Sequence, residues 1–270
     1  MGADIKSLRT RIKSVDSTLH LTKAMGLVAS SKIRRANDAM KKGREYTEAL
    51  KSFVRELSYS SECRKSPYMQ ARGEELSRTR LIVIAGDRGL AGGYNANIMR
   101  LTATFKGAEI IPIGKRACDK FGGKHNSSER YTSEEAQELA KALCEDFAAG
   151  EFDRLGIIST EYVSIMTQNA RVTWILPLTR EEGDSSASIV FEPDEVTVLD
   201  AVMPEYVAGM LMGAIRESFA SEVAARRMAM DSAGKNATAM IDELQLKYNR
   251  ARQGAITQEI TEIVAGAGEQ

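Results

Sequence analysis

Small and apolar residues recur at alternating three- and four-residue spacing through the first 57 residues of the chain. A seam of this kind, sustained far beyond the length of an average helix, is typical of a coiled coil. The side chains in its middle, Thr22, Gly26 and Ala29, are smaller than those at its ends. A soft patch, where weaker packing is tolerated, and a narrowing that serves a function explain this equally well. The seam runs through Ile5, Leu8, Ile12, Val15, Leu19, Thr22, Gly26, Ala29, Ile33, Ala36, Met40, Gly43, Thr47, Leu50, Val54 and Leu57.

A second helical pattern fills the last part of the chain. All five prolines lie between residues 67 and 204, so both ends lack the residue that most reliably breaks helices. The pattern closes on an apolar tip, although chain ends are usually polar. We expect a partner to cover this tip, because the middle of the chain has helices of its own with which to build a core. The tip consists of Ile256, Ile260, Ile263 and Val264.

The middle of the chain alternates short apolar runs with helical stretches, which is typical of a mainly parallel sheet with crossover helices. Residues 181–188 are predicted to form a polar loop. Helices are predicted from about residue 95 and over 133–148. Buried strands are predicted at 80–85, 109–113, 156–159 and 172–176.

The sequence thus predicts the α/β fold class, with a long antiparallel coiled coil of the N- and C-terminal helices and an inserted Rossmann-like α/β domain. We expect three segments. These are an N-terminal coiled-coil helix over 1–60, a central α/β domain over 75–200 and a C-terminal coiled-coil helix over 205–270.

A Gly-rich stretch, residues 85–95, follows the first predicted strand, where a nucleotide-binding fold has its phosphate loop. No Lys follows Gly92 or Gly93, and no two glycines of this stretch are separated by a single residue, so neither common phosphate-binding motif is present there. A tight strand-to-helix turn is favoured over a ligand site, which remains the alternative.

Little else in the chain indicates catalysis. The two histidines, His20 and His125, lie in no suggestive context, and no Ser, Cys or Thr has an evident base. Three widely spaced cysteines give no metal-ligand spacing and suit a reducing compartment. We therefore expect no catalytic residue, no metal site and no cofactor. No signal peptide and no membrane span of roughly 18 uninterrupted apolar residues is expected either.

The zero net charge is unevenly distributed. Residues 1–60 carry 13 basic and 6 acidic side chains, and residues 205–270 carry 7 and 9. The basic N-terminal segment predicts an acidic partner. Protein surfaces are favoured over nucleic acid, because aromatic residues are not interleaved with the basic clusters.

The two helical ends contain four distinctive runs, at residues 12–15, 21–32, 248–253 and 256–267. In these runs the chain closely resembles the γ subunit of F-type ATP synthases, and the resemblance covers essentially the whole chain. Three features depart from the family pattern. Gly86 and Ala91 replace a Ser and a Cys in the Gly-rich turn, Arg227-Met228 replaces a Met and a small or polar residue, and the tail ends Gly268-Glu269-Gln270. The paired cysteines of the chloroplast form are absent, so no thiol switch is expected.

The resemblance implies a non-catalytic rotor subunit in the central stalk of a proton-translocating ATP synthase, one copy per complex. The implied partners are the α and β subunits of the catalytic ring, the ε subunit and the c-ring, with membrane contact only through the c-ring and no nucleic acid. The implied location is the cytoplasmic face of a bacterial cell membrane. A nucleotide-dependent α/β enzyme with coiled-coil extensions is the alternative. By family matching, the residues that contact β or stabilise the helix pair are Lys23, Met25, Arg226, Arg252, Gln253, Thr257 and Glu259.

Overall fold

A computed structural model describes residues 2–70, 78–179 and 190–267 of the chain. The chain divides into two compact units, which we treat separately. Unit 1 combines Met1–Ala29 with Arg227–Gln270, and unit 2 is Ser30–Arg226. The polar loop predicted over 181–188 lies outside the described residues.

Two long helices, α1 (Gly2–Tyr59) and α5 (Glu195–Ala267), contribute residues to both units. Every position of the predicted seam from Ile5 to Leu57 is buried or half-buried, because the 3-4 spacing keeps these side chains on one face of α1. Helix α1 thus has the buried face that the seam predicts. Helix α5 begins at Glu195, earlier than the predicted position 205, and Pro204 lies inside it.

The helix pair is antiparallel within each unit. In unit 2, Gly209 of α5 lies against Leu50 and Gly213 against Thr47, so the partner number falls as the α5 number rises. In unit 1 the same holds, since Gly26 faces Met230 and Thr22 lies near Gly234. This pairing confirms the predicted antiparallel coil.

Unit 2 contains a four-stranded sheet in the order β2-β1-β3-β4. Strand β1 pairs in parallel with β2 and β3, as predicted. Strand β4 pairs antiparallel with β3 at the sheet edge. The five residues 163–167 join β3 to β4, and so short a link permits only a hairpin. The strands are β1 (Thr79–Ile84), β2 (Glu109–Ile113), β3 (Arg154–Tyr162) and β4 (Gln168–Leu176).

Three shorter helices connect the strands: α2 (Tyr94–Thr102), α3 (Lys115–Phe121) and α4 (Ser133–Ala149). Helix α4 confirms the prediction for 133–148. Its start is fixed by a capping box, in which Glu135 N–H donates to the Thr132 hydroxyl and Thr132 N–H donates to the Glu135 carboxylate. The sequence did not predict α3, which spans only two turns.

The sheet of unit 2 is buried on both faces. One face packs on α4 and on the unit 2 parts of α1 and α5, and the other packs on α2 and α3. By length and composition α5 is apolar enough to cross a membrane, with a mean hydropathy of 1.4 over 18 residues. In unit 2, however, its apolar side chains Leu199, Met203 and Val207 are fully buried, so core packing accounts for them.

Candidate functional site

The predicted contact residues of α1 lie on an outward surface of unit 1. Lys23 is exposed and Met25 is half-buried. Leu21 and Val28 flank Met25 at helical spacing, and both are more than half exposed, at 59% and 56%. Leu27 is exposed as well. Sequence reasoning missed these three apolar side chains, although apolar residues outside the buried seam of a helix indicate an exposed apolar surface.

The end of α5 projects its side chains into solvent. From Arg252 to Val264 every residue except Ala255 is exposed. A Cβ placed on Gly254 would meet no atom within 4 Å. The end of the helix is therefore exposed among the residues of unit 1 that the structure describes.

The predicted apolar tip forms a stripe along this part of α5. Ile256, Ile260 and Ile263, spaced four and three residues apart, share one helix face. Their exposed fractions are 48%, 56% and 70%, and that of Val264 is 66%. Contiguous exposed apolar side chains of this kind mark an interaction site more often than an ordinary surface.

Polar residues surround the stripe. Arg252, Gln253, Thr257 and Glu259 are all exposed. The Thr257 hydroxyl donates to the carbonyl of Gln253 at 2.9 Å, which is a common bond within a helix. The side chains of Arg252, Gln253 and Glu259 are exposed on the surface of the helix.

Arg226, the remaining predicted contact residue, belongs to unit 2 and is mostly buried. Its Nη2 lies 2.5 Å from Glu222 Oε1. Its Nε and Nη2 also donate to the carbonyl of Gly89, at 3.4 and 3.3 Å. The structure therefore connects Arg226 to the Gly-rich turn, residues 86–93, which the sequence did not predict.

A second acidic group, Asp87, holds the Gly-rich turn from the other side. Its Oδ1 accepts from the N–H groups of Lys115 and Ser128, each at 3.0 Å. Its Oδ2 accepts from the Ser127 hydroxyl at 2.6 Å and from Glu129 N–H at 3.2 Å. Burial on its own would raise the pKa of Asp87, but these hydrogen bonds outweigh it and lower the pKa.

The Gly-rich turn is unsuited to holding a phosphate. The Glu222 carboxylate fills the space beside Gly86, so a phosphate has no room there. The N–H groups of Lys115, Ser128 and Glu129 already donate to Asp87. These contacts favour the tight-turn interpretation over a ligand site.

A cavity elsewhere among the described residues of unit 2 does not resemble a nucleotide site either. A cavity of 660 Å³ is lined by residues of α1, β4 and α5, including Lys51, Trp174 and Tyr206, and by no residue of the Gly-rich turn. Nucleotides in open α/β folds bind instead at the carboxyl ends of the parallel strands. Within the described residues no group of His, Cys, Asp and Glu could hold a metal. Cys63, Cys118 and Cys144 are free and buried.

Comparison with known proteins agrees with the observed architecture. The chain matches the protein family described as ATP synthase over residues 4–268. It is 41% identical to the ATP synthase gamma chain of Ruminococcus albus, covering 97% of this chain and 96% of that one. It is 36% identical to the sodium ion specific ATP synthase gamma chain of Acetobacterium woodii, covering 99% of each.

A solved structure has the same fold. It is a chain of the mitochondrial ATP synthase assembly of Euglena gracilis that comprises OSCP, F1 and the c-ring. The TM-score is 0.65 at 19% identity, over 98% of this chain and 94% of that one. Since the family match and the similarity to gamma chains both extend over nearly the whole sequence, the chain belongs to the ATP synthase gamma-chain family.

Proposed function

We propose that the chain is the central-stalk rotor subunit of an ATP synthase and has no catalytic site of its own. Ion flow through the membrane sector turns a c-ring and, with it, the paired helices. The helices present a different face to each β subunit and favour a different nucleotide affinity in each. The coupling is a difference in contact free energy between conformations of β. Because the proposed role is to transmit torque, it is the same for protons and for sodium ions.

The observation that carries the proposal is the exposed surface of unit 1. A free-standing soluble protein rarely leaves a contiguous apolar stripe such as Ile256, Ile260 and Ile263 in water. A bearing formed by α and β subunits would cover this stripe. On α1, the exposed Lys23 and the apolar side chains around Met25 suit the acidic and apolar groups of a β subunit.

The other proposed partners are the ε subunit and the c-ring, which bind the α/β part of the chain. The chain is present in one copy per complex and reaches the membrane only through the c-ring, at the cytoplasmic face of a bacterial membrane. The residues proposed to contact the β subunit or to stabilise the helix pair are Lys23, Met25, Arg226, Arg252, Gln253, Thr257 and Glu259.

Reconstitution tests the proposal. The purified chain is mixed with α and β subunits, the ring is fixed to a surface, and a bead is attached to the α/β part of the chain. Rotation of the bead that requires ATP is the expected result. The proposal is wrong if the chain fails to bind the ring and instead turns over nucleotide by itself, with activity that survives removal of both helical ends.

A further inference from the structure

Glu222 and Arg226 form a buried ion pair one turn apart on α5. Their side chains are only 5% and 14% exposed. Removing two charges from water is unfavourable, and the attraction between them offsets this only when further polar partners are present. Arg226 has such a partner in the carbonyl of Gly89, so the pair extends from α5 into the Gly-rich turn.

The Gly-rich turn fits closely around the pair. A Cβ on Gly86 would come within 2.7 Å of the Glu222 carboxyl carbon, so only glycine allows the two to approach as they do. Gly86 thus makes room for the Glu222 carboxylate. The N–H of Gly86 donates to Asn95 Oδ1 at 2.9 Å, and Asn95 Nδ2 donates to the carbonyl of Arg88 at 3.2 Å.

The Gly-rich turn has an unfavourable backbone conformation at Leu90. Leu90, which follows Gly89, has a φ of 60° and lies in the left-handed region that non-glycine residues avoid. Its side chain is 62% exposed, so its own packing contributes little to this conformation. Such a residue keeps its conformation only when the surrounding structure holds it. The contacts nearest to Leu90 on the N-terminal side are those between Gly89 and Arg226.

We infer that Glu222 and Arg226 are positioning residues that clamp the Gly-rich turn to α5, so that turn and helix move as one body under load. The inference rests on the proposed rotor function, which supplies the load. It also changes the expected role of Arg226. The guanidinium group is engaged inside the chain, and its influence on a β subunit passes through the turn.

The test uses the complex reconstituted in vesicles and four variants. Arg226→Ala removes both contacts, and Arg226→Lys keeps the charge but loses the forked donor. Gly86→Ala leaves both charges in place and displaces the carboxylate. Arg227→Ala, at an exposed arginine next in sequence, is the matched control. For each variant, two quantities are measured: deuterium uptake by peptides covering residues 86–93, and ions pumped per ATP hydrolysed.

The inference predicts that Arg226→Ala and Gly86→Ala raise the rate of deuterium uptake in the turn by about tenfold or more. Both variants should also lower the number of ions pumped per ATP hydrolysed. Arg226→Lys should give intermediate values of both, and Arg227→Ala should match the wild type. Uptake is also measured on the free full-length chain, so that a variant that fails to assemble still reports on the turn.

Two outcomes overturn the inference. In the first, Arg226→Ala lowers the pumping ratio while uptake in the turn is unchanged, which means that Arg226 acts on the partner directly. In the second, uptake rises while pumping is unaffected, which means that the clamp has no part in coupling. Failure of the rotor proposal looks different, because the wild-type chain itself would then support no ATP-driven pumping.

Discussion

Asp87 shows how one side chain can replace a ligand. Its carboxylate accepts four hydrogen bonds, three of them from backbone N–H groups of α3 and of the segment before α4. Such N–H groups are what an anion-binding loop offers to a phosphate. In this chain the anion is built into the protein, which explains why a turn in the position of a phosphate loop has a structural role.

This arrangement predicts a pH-dependent stability for Asp87→Asn. The amide removes the charge and one acceptor, so the free energy of unfolding should fall by about 1–3 kcal/mol at about pH 7. The folded-state pKa of Asp87 lies below its ordinary value of 3.8. Its contribution is therefore complete above that value and is lost as the pH falls through the folded-state pKa.

Urea unfolding of the free chain, followed by circular dichroism at about pH 7 and about pH 3, measures the difference. The matched control is Asp38→Asn, because Asp38 is exposed on α1 and should show little change at either pH. An equal loss of stability for Asp87→Asn at both pH values would contradict the proposed role of the charge.

Among the helices and strands, the sequence predicted best the element with the longest hydrophobic pattern. The seam of α1 predicted its buried face at every position, since a 3-4 repeat admits only one helix face. Strand β4 was predicted, but its antiparallel pairing with β3 was not. Strand direction depends on the connection and on the neighbouring strand, and an apolar run of five residues contains neither.

Helix α5 and the clamp were harder to predict from sequence. Proline removes one hydrogen bond from a helix, so the sequence predicts a helix boundary at Pro204. Burial of Leu199, Met203 and Val207 on both sides of it stabilises the helix through that position. The contact of Arg226 with Gly89 joins positions far apart in the chain, and local spacing contains no information about it.

Glycines along the helix pair predict opposite results for the same substitution. In unit 1, a Cβ on Gly26 would lie 3.7 Å from Met230 Cβ, an ordinary contact, so Gly26→Ala should raise stability by up to about 1 kcal/mol. In unit 2, a Cβ on Gly213 would lie 2.7 Å from the Thr47 hydroxyl oxygen, so Gly213→Ala should lower stability by about 1–3 kcal/mol.

The urea midpoints of Gly26→Ala and Gly213→Ala test both predictions. Gly254→Ala serves as a control for helix propensity alone, since no atom lies within 4 Å of the added carbon. If Gly26→Ala destabilises the chain while Gly254→Ala stabilises it, the small middle of the seam is needed for close packing. The soft-patch interpretation of the seam would then be wrong.

Substitutions at the tip of α5 should weaken assembly with α and β subunits without lowering the stability of the free chain. Ile256, Ile260 and Ile263 are exposed in the free chain, so replacing all three with Ser should leave its urea midpoint nearly unchanged. In the proposed complex the same side chains are buried, and their loss should weaken binding to the α and β subunits by at least about tenfold.

Co-purification with α and β subunits over a range of concentrations measures this loss. The double variant Val163→Ser and Met166→Ser is the matched control, because both residues are exposed apolar side chains in the turn between β3 and β4. It should bind α and β like the wild type. If the triple variant also binds like the wild type, the exposed tip does not bind in a bearing formed by α and β subunits. If its urea midpoint falls sharply instead, the tip packs within the free chain, and the partner that we propose for it is unnecessary.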